Sequence, residues 1–150
     1  MLRCVFVAVA TFAAGPSLAQ TSPWMLEGTA GVVSDYRYRG YSLSEGRPAL
    51  QTGATLSHRS GVYAQVYLSS IDEYGVGDDG DGADAEITGE IGWSGQLGGF
   101  LVNAAIAAYR YPDGDGVNYV EVPLQVSRTF NALTGTVGLA YAPGSGGARR

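Results

Sequence analysis

The chain of 150 residues has the length of a single domain, and its 45% hydrophobic and 11% aromatic content, with 15% charged residues, excludes a disordered polypeptide. Its nine basic residues are all arginine and face 14 acids, for a net charge of -5 and a pI near 4.6. A nucleic-acid partner is therefore not expected, because a phosphate-tracking surface needs a net basic stripe. One Cys and one His are too few for a zinc site, and the lone Cys4 has no partner for an internal disulfide.

Residues 1–19 read as a secretory signal peptide. Arg3 supplies the basic start, Val5 to Ala14 the apolar run, and Gly15-Pro16 the break before a small-residue site at Ser17-Leu18-Ala19. The run is shorter than the roughly 18 apolar residues that mark a spanning helix. Cleavage is expected after Ala19, which removes Cys4.

From there the apolar residues recur at period two, bounded by clusters of Gly, Pro, Asp and Ser, and no stretch shows amphipathic helical spacing. The first strand is expected from Trp24 to about Tyr38, with Trp24, Leu26, Val32, Tyr36 and Tyr38 on one parity and Glu27, Asp35, Arg37 and Arg39 on the other. A second follows at Ala49 to His58 and a third at Val62 to Ser69, where Val62, Ala64, Val66 and Leu68 alternate with Tyr63, Gln65 and Tyr67. The fourth, Ala85 to Trp93, sets Ile87 and Ile91 against Glu86, Thr88 and Glu90, ahead of a turn at Ser94 to Gly99. The fifth, Phe100 to Tyr111, has an Ala-rich centre at Asn103 to Ala108 that would suit a helix by itself, but its Gly-rich flanks favour a strand. In the sixth, Val120, Val122, Leu124 and Val126 alternate with Tyr119, Glu121 and Gln125, and Pro123 marks an irregular or edge position. The seventh runs Leu133 to Ala142.

The connections alternate as well. Those after the second, fourth and sixth strands are short, and those after the first, third and fifth are generally longer and polar. That asymmetry is the one expected of an outer-membrane barrel with short periplasmic turns and longer extracellular loops. The predicted fold class is all-β, an antiparallel up-and-down β-barrel over 20–142 with about seven readable strands, followed by a disordered or non-native tail at 143–150. A soluble, secreted or periplasmic barrel that binds a small ligand produces the same period-two pattern with its apolar parity inside. The terminal aromatics Trp24, Tyr36, Tyr38, Trp93 and Tyr141 on the apolar parity favour the membrane.

Residues 33–58, VSDYRYRGYSLSEGRPALQTGATLSH, and the following SGVYAQVYLSSID at 60–72 resemble the opening of the Gcw_chp family, also labelled TorF-type porins. Ser34 to Gly40 reproduce its serine-aspartate-aromatic-arginine-aromatic-arginine-glycine stretch, and Pro48-Ala49-Leu50-Gln51 its next strand start. The resemblance implies a bacterial outer-membrane β-barrel, exported through its signal peptide, that passes small solutes or ions passively. Against the family pattern, an even strand number and an aromatic end to the last strand are missing, and Gly144 to Arg150 read as a truncated or frameshifted terminus. A barrel of eight strands is filled by side chains, so a narrow or plugged lumen accords with this reading.

Asp35, Arg37 and Arg39 share a parity and are the lumen or selectivity candidates; fixed charges there bias which solutes pass, while an ion-pair ladder within the wall is the alternative. The acidic stretch 72–86 holds seven acids and no base, and Asp78, Asp79, Asp81 and Asp84 are weak calcium candidates. Their spacing fails the EF-hand pattern, so a solvated loop is the default and no metal is expected. His58, the single histidine, stands at a strand end without a nucleophile beside it. No enzyme activity and no cofactor are expected; the expected partners are outer-membrane lipid and small solutes.

Overall fold

The computed structural model describes residues 8–10, 22–76, 80 and 82–143. Apart from Ala8–Ala10, the predicted leader lies outside the described residues, as does the tail beyond 143. Ala8–Ala10 (β1) pairs antiparallel with Ala30–Val32. The body is one antiparallel sheet of β2 (Trp24–Val33), β5 (Ala49–His58), β6 (Val62–Tyr74), β7 (Ala83–Leu97), β8 (Phe100–Arg110), β9 (Tyr119–Phe130) and β10 (Leu133–Tyr141), each paired with the next in the chain. A two-stranded hairpin, β3 (Arg37–Tyr38) and β4 (Tyr41–Ser42), stands between β2 and β5.

All seven expected strands form, the second with the expected bounds Ala49–His58 and others with altered ones. The Ala-rich centre of the fifth is strand throughout, because pairing on both sides with β7 and β9 satisfies the backbone groups that a helix would satisfy internally. The third runs on to Tyr74 past an irregularity between Ser70 and Tyr74. The fourth reaches Leu97, which shrinks the expected turn at Ser94 to Gly99 to Gly98-Gly99, both at positive φ. Pro123 is irregular as expected but not at an edge: β9 has partners on both sides, and the β8–β9 ladder is interrupted opposite Ala105, where proline has no N–H to give. The first strand stops at Val33 rather than Tyr38, a correction taken up below.

Short connections at 59–61, 98–99 and 131–132 cluster at one end of the sheet, and the longer ones at 34–48, 75–82 and 111–118 at the other. Between them, cross-strand register puts most of the aliphatic positions on one face: Leu26 opposite Leu56, Ala54 opposite Val66, Ala64 opposite Ile91, Ile91 opposite Ile106, Ala104 opposite Leu124, Leu124 opposite Leu139. This face is bare, with Leu26, Leu56, Val66, Ile91, Ile106, Val137 and Leu139 all exposed. The opposite face carries Glu27, Gln51, Thr55, Tyr63, Gln65, Tyr67, Glu86, Thr88, Glu90, Tyr109 and Glu121, and it is the more covered of the two. The small buried cluster lies on this side at the long-loop end, where Leu43, Ile71, Ala83 and Tyr111 pack with Tyr36, Tyr38, Tyr74, Tyr109, Val117 and Tyr119.

Among the described residues the sheet is open: its end strands are β1 and β10, which are not paired with each other.

At the short-turn end the backbone is tight. Gly61 has φ +92°, its N–H bonds to His58 O at 2.9 Å and its carbonyl accepts Ser94 N–H at 2.9 Å. A Cβ there would run into the Ser94 carbonyl oxygen and the Trp93 indole. Gly61→Ala is expected to destabilise the fold by about 1–3 kcal/mol through the positive φ and this clash, measured by denaturant unfolding.

Candidate functional site

The Ser34-Asp35-Tyr36-Arg37-Tyr38-Arg39-Gly40 stretch does not continue the first strand. After Val33 the chain turns back over the polar face of the sheet, and the segment 34–48 is braced by its own backbone and side chains. Leu43 N–H bonds to Tyr36 O at 2.7 Å, Tyr36 N–H to Ser44 Oγ at 2.8 Å, and Ser42 Oγ donates to Asp35 Oδ1 at 2.5 Å while accepting Gly46 N–H at 3.0 Å. Asp72 N–H reaches Leu43 O at 2.8 Å, tying the segment to β6, and Arg47 forms an ion pair with Asp72.

Two-residue turns make the folding back possible. Arg39-Gly40 joins β3 to β4 with φ of 49° and 91°, and Glu45-Gly46 follows with φ of 50° and 76°. Positive φ at both central positions is the hairpin geometry that matches the sheet twist. Glycine adopts it freely, whereas the Cβ of Arg39 and Glu45 costs roughly 1–2 kcal/mol at each. The neighbouring contacts must offset that cost.

Those contacts are two buried carboxyls on the wall. Glu86 of β7 is 2% exposed, and both its oxygens are satisfied: Tyr36 Oη donates to Oε1 and Tyr111 Oη to Oε2, each at 2.9 Å, with Thr88 Oγ1 at 3.2 Å from Oε1. Glu121 of β9, 4% exposed, takes Arg39 Nη2 at 2.7 Å and Tyr38 Oη at 3.4 Å. The Arg39 guanidinium lies over the Tyr38 ring at 4.9 Å. Isolated buried carboxylates are strongly disfavoured, so each persists only with such donors. Burial, reinforced by the Glu86 charge, pushes the Tyr36 hydroxyl far above the usual phenol range, which keeps it a donor at any physiological pH.

The expected site is therefore rearranged. The sequence places Asp35, Arg37 and Arg39 together on one strand parity; instead Arg37 Nε bonds Asp35 Oδ2 at 2.5 Å in an exposed local clip, and of the three Arg39 alone reaches a distant strand, at Glu121 of β9. Tyr36 and Tyr38, expected on the apolar parity as interfacial aromatics, turn inward to the carboxyls, because the strand has ended before them. Trp24 and Trp93 stay on the apolar parity at the short-turn end, where Trp24 packs on His58 with ring centroids 4.6 Å apart and Trp93 Nε1 donates to Ser60 O at 2.8 Å. Arg128 joins them, with its guanidinium between Phe100 and Phe130 at 4.9 and 4.6 Å. Of the weak calcium candidates, Asp84 is exposed on β7, and Asp78, Asp79 and Asp81 lie outside the described residues. Among the described residues no three His, Cys, Asp or Glu converge.

Alongside the folded-back segment the polar face borders a half-open pocket of about 740 Å³ that Glu27, Thr55, Gln65, Tyr67, Glu90 and Tyr38 help to line. Deeper toward the short turns, Tyr63 Oη donates to Glu90 Oε1 at 2.5 Å and accepts Asn103 Nδ2 at 3.0 Å. Gly92 leaves room for that ring, since a Cβ there would stand 2.6 Å from the Tyr63 hydroxyl. Glu86, Glu121, Tyr111 and the Tyr63–Glu90 pair did not emerge as site residues from sequence. The one available signal was the recurrence of carboxylates on the non-aliphatic parity.

Tyr111→Phe leaves one buried oxygen of Glu86 without its donor and is expected to cost roughly 1–3 kcal/mol, read from denaturant unfolding. The Ser42 hydroxyl, and behind it Arg37, hold the Asp35 carboxyl below its ordinary 3.8 against an opposing desolvation. A depressed carboxyl stabilises the fold above its unfolded pKa and loses that contribution as pH falls through the folded one. NMR titration of Asp35 should thus give a value below 3.8 that moves back up in Ser42→Ala.

No curated protein and no solved structure matches the chain. A family model does: residues 17–147 match the family described as a bacterial protein of unknown function, Gcw_chp. That span takes in the seven long strands together with the folded-back segment, and the chain belongs to the Gcw_chp family.

Proposed function

We propose that this chain forms the wall of a bacterial outer-membrane β-barrel whose polar lumen lets small solutes or ions pass without catalysis. One observation carries the reading: along β5 to β8 and the first half of β9 the aliphatic parity is the barer one and the polar parity the more covered one, while β10 and most of β2 are exposed on both faces. A soluble barrel or sandwich needs the reverse, because contiguous apolar patches beyond a few hundred Å² are uncommon on soluble monomers. In a bilayer the same arrangement satisfies both solvents, with aliphatic side chains in lipid and Glu, Gln, Thr and Tyr in water.

Three further features support it. The long strands have 9 to 15 residues, against the roughly 9–11 that a tilted strand needs to cross the hydrocarbon. Trp24, Trp93, Phe100 and Phe130 form an aromatic band at the short-turn end, with Arg128 laid across two of them, as side chains at a membrane interface do. The likeness of residues 33–72 to TorF-type porins points the same way, and with the expected leader it favours export to the outer membrane.

Ile106 tests the reading directly. It is 60% exposed at the middle of β8, opposite Ile91. If that face meets lipid, Ile106→Arg should destabilise the protein in vesicles by about 2–4 kcal/mol, the cost of an arginine at the bilayer midplane. An unchanged stability, together with a monomer that stays soluble without detergent, would overturn the membrane reading.

A further inference from the structure

We propose that residues 34–48 form the constriction of the lumen, and that Glu86 and Glu121 are the positioning residues that hold it there. The proposal rests on the passage reading and adds what would control passage. A connection between β2 and β5 could have projected away from the long-loop end, as the chain does wherever a loop is solvated. This one runs back over the polar face, and its hydroxyl and guanidinium tips reach two separate strands of the wall, β7 through Tyr36 and β9 through Tyr38 and Arg39.

The wall is built to receive it. Glu86 and Glu121 are among the few buried polar side chains of the sheet, and their donors come largely from this segment. Tyr111, from the connection after β8, donates to the second oxygen of Glu86 and so joins another loop to the same anchor. Arg39 is held at φ 49°, a conformation unfavourable for a residue with a Cβ, in the one turn that delivers its side chain to Glu121. Strain of this kind persists where the surroundings over-determine it, and it collects at functional positions. The Arg39 guanidinium remains about half exposed while bonded, so it presents a fixed cation beside the cavity. Arg37, clipped to Asp35 outside, does not.

Ring packing fills part of the space beside it. Tyr38 lies 5.9 Å from Tyr109, which stacks on Tyr119 at 4.4 Å, and Leu43 sits buried with Ile71 and Tyr111. The segment therefore narrows the lumen with side chains whose placement depends on two carboxyls far away in sequence.

The test is conductance of the refolded chain in planar bilayers, with Glu121→Gln, Glu86→Gln, Arg39→Gln, a reversed pair (Arg39→Glu with Glu121→Arg) and a deletion of 36–46. The wild type is expected to conduct weakly, the single variants and the deletion several-fold more, and the reversed pair to return toward the wild-type level. Recovery in the reversed pair ties conductance to the pairing of positions 39 and 121, and denaturant unfolding of the same variants separates it from a loss of stability. Arg39→Gln leaves the sheet intact if a wall variant fails to refold. Equal conductance of the wild type and the deletion would overturn the constriction and leave passage standing. No current from any form, the deletion included, would overturn passage and the constriction with it.

Discussion

A β-strand shows alternate side chains to opposite faces, and every consequence for this protein follows from which face is covered. Seven strands carry Val, Leu, Ile and Ala on one parity and Glu, Gln, Thr, Ser and Tyr on the other. The register keeps the parities aligned from β2 to β10, since a slip of one residue would mix carboxyls with aliphatics along a whole strand. The polar face curls inward and collects the long connection, the aromatic cluster and the cavity. The aliphatic face is left bare.

Such a sheet has no hydrophobic core of the ordinary kind. Its buried apolar cluster is small and sits only at the long-loop end. What organises the interior is hydrogen bonding to carboxyls: Glu86 with Tyr36 and Tyr111, Glu121 with Arg39 and Tyr38, Glu90 with Tyr63. These networks are demanding because an unpaired buried polar group is costly. Tyrosine suits the task, giving a ring that fills space and a hydroxyl that donates, which accounts for much of the Tyr content of an otherwise Gly-rich chain. On the proposed reading, lipid on the bare face supplies the apolar environment that a soluble protein would have to build inside.

Much of this was legible from spacing alone. The seven strands, the short and long connections at opposite ends and the separation of polar from aliphatic parity all follow from local alternation and from turn residues such as Gly61 and Gly98-Gly99. The bounds were less legible at the ends of strands. In 34–40, the alternation of Asp35, Arg37 and Arg39 with Tyr36 and Tyr38 looks like more strand, and the stretch even pairs as a two-residue hairpin. What breaks it is the bend straight after Val33, followed by the left-handed turn at Arg39, neither of which the alternation announces. The extension of β7 to Leu97 was hidden in the same way, because the Ser94-Gly95 pair reads as a turn until a facing strand is there to pair with it.

The sequence by itself determined the fold class, the two chemistries of the sheet and, through residues 33–72, the family resemblance, because each rests on residues near one another along the chain. Only the tertiary structure decided that Tyr36, Tyr38 and Arg39 point into the sheet while Arg37 stays with Asp35 outside. It also brought Tyr36 to Glu86 and Arg39 to Glu121, 50 and 82 residues apart. A buried carboxyl needs donors wherever the fold can bring them, and nothing local to Glu86 or Glu121 names the residues that will serve.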